Sequence, residues 1–179
     1  SVTTSTDTTC KAVRESIMSS TYQYGANVHA NGIRQHYLRY GGSGQPLILI
    51  PGITSPAITW EFVAERLGRH FDTYVLDVRG RGLSSSGADL DYGPDSCADD
   101  VMAFAEALSL TDYILMGHSM GARFATRAYA RGAKGVQRLV LVDPPVSGPG
   151  RRAYPSKLPW YVDSIRAAAQ GIDEHKMRE

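Results

Sequence analysis

From residue 46 onward the chain alternates short unbroken apolar runs with longer stretches whose apolar positions recur every third or fourth residue. Pro46-Leu47-Ile48-Leu49-Ile50 is the first such run, and it reads as a strand buried on both faces. Asp72 to Asp77, Tyr113 to Met116 and Val136 to Val142 repeat the pattern and predict three more buried strands. Between them the period changes. A helix is predicted from about Ala57 to Arg69, with Trp60, Val63 and Leu67 on one stripe. Pro94-Asp95 opens a second, in which Val101, Phe104, Ala105 and Leu108 share a face. Ala122 to Arg131, rich in Ala and Arg and closed by Gly132, predicts a third.

The flanks differ. Tyr22 to Tyr40 reads as β, with Asn31-Gly32 as a hairpin turn between Ala26–His29 and Ile33–Tyr40. Such a turn needs positive φ at both central residues, which Asn and Gly tolerate. His36 lies on the second of these strands and reads as a structural or exposed histidine. After Asp143, Pro144-Pro145 and Ser147-Gly148-Pro149-Gly150 form an exit loop. The strand–helix rhythm then stops. The expected organisation is a polar N-terminal extension over 1–21, with either a short helix at Lys11–Met18 or disorder, an α/β core over 22–147, and the start of a lid over 148–179. The lid carries Tyr154, Trp160, Tyr161 and a helix at Asp163–Gln170. Arg151 and Arg152 read as a solvated basic pair, with binding of a substrate carboxylate as the alternative.

Strand alternating with helix implies right-handed crossovers and a mostly parallel, doubly wound sheet covered on both faces. Ligands on such sheets bind at the carboxyl ends of the strands. Ile53, Ser119 and Asp143 all fall there.

Composition narrows the function. The 179 residues carry 19 Lys+Arg against 18 Asp+Glu, with 42% hydrophobic residues. That suits one domain with a sizeable core and argues against a nucleic-acid or membrane-surface partner. No apolar run approaches the ~18 residues of a membrane-spanning helix. Cys10 and Cys97 form no C-x-x-C, so neither a disulfide framework nor a metal site is expected, and a reducing, cytoplasmic setting is the simplest reading.

The candidate chemistry centres on Gly117-His118-Ser119-Met120-Gly121, set between a predicted strand and a predicted helix. A serine on a strained strand-to-helix turn, with glycines where neighbouring side chains would clash, is exposed as a nucleophile. The helix N-terminus beside it offers N–H groups to an oxyanion. An ordinary tight turn with a capping serine is the plainer alternative.

These residues resemble the α/β-hydrolase superfamily. Its marks occur in order: the turn Pro51-Gly52-Ile53, the turn Asp77-x-Arg79-Gly80-x-Gly82-x-Ser84, the Ser119 pentapeptide, and the strand end Leu139-Val140-Leu141-Val142-Asp143. The resemblance implies a serine hydrolase with Ser119 as nucleophile, Asp143 as the triad acid, and the N–H groups of Ile53 and Met120 as oxyanion hole. It implies a lid inserted after the sixth strand, a small-molecule substrate and no cofactor or metal. Pro51–Pro56, Gly117–Phe124 and Val142–Trp160 look like members that cleave a small linear amide. Enol-lactonase, carboxylesterase or perhydrolase activity, or a non-catalytic ligand receptor, are the alternatives.

One feature departs from the family. Its order is Ser, acid, then His, and the histidines here are His29, His36, His70, His118 and His175. None takes the expected place. The chain therefore reads as the N-terminal part of a larger enzyme, and residues 1–179 alone are not expected to catalyse.

Overall fold

The computed structural model describes residues 22–145. The predicted extension at 1–21, the lid from residue 148, Arg151, Arg152 and His175 lie outside the described residues. Six strands form one sheet: β1 (Tyr22–Ala30), β2 (Ile33–Tyr40), β3 (Gln45–Ile50), β4 (Phe71–Leu76), β5 (Tyr113–His118) and β6 (Val136–Val142). A 3-10 turn at Ala57–Trp60 precedes α1 (Glu61–Leu67), followed by α2 (Pro94–Ala107) and α3 (Met120–Ala130).

The strand order is β1-β2-β4-β3-β5-β6. β1 and β2 form the expected hairpin, with Ala30 opposite Ile33 and the turn residues Asn31 and Gly32 at φ 52° and 74°. β2 also runs antiparallel to β4, whereas β3, β4, β5 and β6 are mutually parallel. The chain leaves β3 for β4 on one side and later returns to β3's other side with β5. That reversal opens a crevice between the carboxyl ends of β3 and β5.

Alternation along β3 builds two cores. Leu47 and Leu49 pack with Leu38, Val75, Ile114 and Ala64, beneath Trp60 of the 3-10 turn and Val63 and Leu67 of α1. Ile48 and Ile50 face the other way, against Val101, Phe104 and Ala105 of α2 and Phe124, Ala125 and Ala128 of α3. Helices therefore cover both faces. At roughly 25 cal/mol per Å² of apolar area, these two layers carry most of the stabilisation.

Three details differ from the sequence reading. The helix expected over 57–69 is split and short. Pro56 is extended, and its carbonyl accepts both the N–H and the hydroxyl of Thr59, at 3.0 and 2.7 Å, which tightens the first turn. Gly68 then caps α1. Second, α3 begins at Met120, directly after Ser119. Third, β6 is not buried on both faces: β5 is its one neighbour among the described strands, and Val140 and Leu141 are exposed. Among the described residues, no helix is long and apolar enough to cross a membrane.

Candidate active site

The parallel strands end together, so the segments that follow them share one edge of the sheet. Residues 51–56 leave β3, 77–84 leave β4, Ser119 leaves β5 and Asp143 leaves β6. Ser119 has φ 49° and ψ −113°, a conformation that strains any residue with a side chain. The two glycines answer two close approaches. A Cβ on Gly117 would lie 2.4 Å from the Gly121 carbonyl oxygen, and one on Gly121 would lie 2.1 Å from that of Ile50. The start of α3 is thereby pressed against the end of β3. The Ala122 N–H donates to the Ser119 carbonyl at 3.0 Å, which closes the first turn of α3.

The turn after β3 is brought to the same place. A Cβ on Gly52 would lie 3.0 Å from His118 Nδ1 and 3.6 Å from Ser119 Cβ. The Gly52 carbonyl accepts the Ser55 N–H at 3.2 Å. Ile53 is 62% exposed, so its side chain stands at the rim of the crevice and not in the core. Ile53, Ser119 and Met120 are thus gathered at one point. Asp143 follows β6 directly, at φ 46°, and its side chain is exposed.

No described histidine hydrogen-bonds the Ser119 hydroxyl or the Asp143 carboxylate. His118 packs on Trp60, with ring centroids 5.1 Å apart, and its Nδ1 is buried without a partner. His36 is buried, not exposed, and its Nδ1 lies 2.7 Å from Asp77 Oδ2.

Asp77 is the anchor of this edge. Its Oδ1 accepts the Ala57 N–H at 2.6 Å and its Oδ2 the Leu83 N–H at 3.0 Å, while its carbonyl accepts the Ser84 hydroxyl at 2.6 Å. One buried carboxylate therefore ties the turn after β3 to the loop after β4. The sequence reading placed Asp77 in a motif but found no partner for His36. Two residues 41 positions apart leave no local signature. Further out, Arg79 forks onto Asp100 of α2 with two bonds of 2.6 Å, and burial of both makes this pair a structural strut. The guanidinium's proton is held more tightly than usual by that carboxylate. Among the described residues, no group of three or more His, Cys, Asp or Glu side chains could hold a metal ion.

Comparison with known proteins places this arrangement. Residues 45–173 match the family model for the alpha/beta hydrolase fold. An N-formylmaleamate deformylase of Pseudomonas putida is 77% identical over 159 residues, which are 89% of this chain and 59% of that protein. The crystal structure of an N-formylmaleamic acid deformylase from Pseudomonas putida superposes with a TM-score of 0.74 at 57% identity. It covers 87% of this chain and 60% of that one. A 2-(acetamidomethylene)succinate hydrolase of Mesorhizobium japonicum is 35% identical over 106 residues, 59% of this chain and 38% of that protein. The chain thus spans about three fifths of the length of the two deformylases it matches. Family model, relatives and fold agree, and the chain belongs to the α/β hydrolase fold family.

Proposed function

We propose that the protein is a serine hydrolase that cleaves N-formylmaleamate to maleamate and formate. The observation that carries this reading is the 77% identity to a deformylase, extending across the strained Ser119 turn at the β3–β5 crevice.

The chemistry follows from the residues. A serine hydroxyl is a weak nucleophile at its own pKa and needs a base. We assign that base to a histidine outside the described residues, oriented by Asp143 at the end of β6. The Ser119 oxygen attacks the formyl carbon as its proton passes to the histidine, and the carbonyl oxygen becomes an anion. The N–H groups of Ile53 and Met120 hold that charge; loss of one such donor typically raises a barrier by about 3–4 kcal/mol. The histidine then protonates the departing amide nitrogen, the C–N bond breaks, and maleamate leaves. Water, deprotonated by the same histidine, releases formate from Ser119.

The test is to incubate the whole protein with N-formylmaleamate and quantify formate and maleamate by chromatography. Equimolar release supports the reading. Turnover of simple esters far faster than of this amide would replace it with an esterase of the same fold, since one fold carries many chemistries.

A further inference from the structure

We infer that Arg81 is a positioning residue that fixes the oxyanion donor Ile53 and braces its turn against the Met120 side chain; this rests on the hydrolase reading of Ser119 but not on the identity of its substrate. Arg81 belongs to the loop after β4. Its Nε donates to the Ile53 carbonyl at 2.8 Å, its Nη1 to the Arg79 carbonyl at 3.1 Å, and its Nη2 to Met120 Sδ at 3.3 Å. No described carboxylate pairs with it. The guanidinium is therefore spent on backbone and thioether acceptors, and two of the three belong to the residues expected to hold the oxyanion.

The geometry explains what this does. The Ile53 N–H sits on the peptide whose carbonyl, that of Gly52, accepts Ser55 N–H. That bond sets one side of Ile53. The next peptide, carrying the Ile53 carbonyl, is fixed by Arg81 Nε. With both flanking peptides held, the direction of the Ile53 N–H is determined even though its side chain is 62% exposed. Without the second constraint, the two peptides that flank Ile53 keep, among the described residues, the 3.2 Å bond at the Gly52 carbonyl. Arg81 itself is placed firmly, because its N–H donates to the Val78 carbonyl at 2.9 Å and Asp77 grips Leu83 two residues on. A planar fork reaches three acceptors at fixed angles, which a lysine ammonium cannot imitate. Preorganised donors are what make an oxyanion hole effective.

The experiment compares Arg81→Lys, Arg81→Met and Arg81→Ala with the parent in the whole protein. It follows kcat and KM on N-formylmaleamate and on an uncharged ester, together with the rate of Ser119 labelling by a fluorophosphonate. The expected result is a kcat and labelling loss of about 10–100-fold in all three variants, smaller than full donor removal. KM should stay within about threefold and the melting temperature close to the parent's, and millimolar guanidinium should partly restore Arg81→Ala. A loss confined to the KM of the anionic substrate overturns the proposal and makes Arg81 a carboxylate anchor. Unchanged kcat and labelling in all three variants, or a matching loss in an equally destabilised control variant, also overturns it. Absence of formate from the parent would instead tell against the deformylase reading, and the labelling rates would still decide the role of Arg81.

Discussion

The Ser119 N–H donates to the Val142 carbonyl at 2.9 Å, so the turn that presents the hydroxyl is tied to the strand end that presents Asp143. In register terms His118 lies opposite Val142, and the two functional candidates are the next residue on each strand. That coupling makes Asp143 the acid to test. Asp143→Asn, which keeps shape and removes charge, should lower kcat by about 10⁴-fold, as loss of the orienting carboxylate does in serine triads. The side chain is exposed, so the fold should persist, and circular dichroism checks it. A rate within a few-fold of the parent would move the acid elsewhere.

Ser119→Ala should leave the melting temperature nearly unchanged, since the backbone strain is the same for both residues. Turnover should fall by several orders of magnitude, about 10⁴–10⁶-fold. Steady-state assays together with intact-mass detection of a fluorophosphonate adduct settle this.

Gly121→Ala should disrupt the site through the backbone. The new methyl would lie 2.1 Å from the Ile50 oxygen and 2.6 Å from that of Pro51, and neither carbonyl can rotate away as a side chain would. Overpacking of this kind typically costs about 1–3 kcal/mol or more. A lowered urea midpoint with loss of activity is expected. The same change at Gly132, where nothing lies within 4 Å, should cost less, from positive φ alone.

The contrast between these glycines shows what could be read from the chain and what could not. Strands β3, β4 and β5 and the stripe of Trp60, Val63 and Leu67 were legible because burial on two faces or on one stripe imposes a local pattern. Gly117 and Gly121 were legible because a strained turn excludes side chains at fixed offsets. The roles of His36 and Arg81 were not legible. Each is defined by partners brought from distant parts of the chain, His36 by Asp77 and Arg81 by Ile53 and Met120. Periodicity carries no record of such pairs.

Asp100→Asn should destabilise strongly. Asp100 is buried and takes both forks of Arg79 at 2.6 Å and the Asn31 amide at 2.7 Å. Removing its charge leaves the Arg79 guanidinium buried and uncompensated, a change that typically costs about 3–5 kcal/mol. Urea denaturation of the whole protein measures this. Replacing Arg79 by Met together with Asp100 by Leu should recover part of the loss, because the stranded charge is then gone.

Cys97 should be inert at neutral pH. Burial pushes its thiol up to about 11, so the reactive thiolate is scarce below that value. Iodoacetamide at pH 8 should leave the Cys97 peptide unmodified by mass spectrometry until denaturant is added. Labelling in the folded state should rise only as pH approaches 11. Rapid folded-state labelling at pH 8 would show that α2 opens locally.

The bonds that join the first hairpin to the rest have a consequence for the order of assembly. Asn31 and Asp100 are 69 residues apart, and Gln35 reaches the Asp100 carbonyl across 65. During synthesis the hairpin leaves the ribosome long before Asp100 exists, and closing loops of that size costs entropy before any contact repays it. The loop after β4, which carries Arg81, is fastened to that same hairpin through Ser84 and Ser85. The machinery around Ser119 is therefore expected to be completed in the slow, non-local stage of folding.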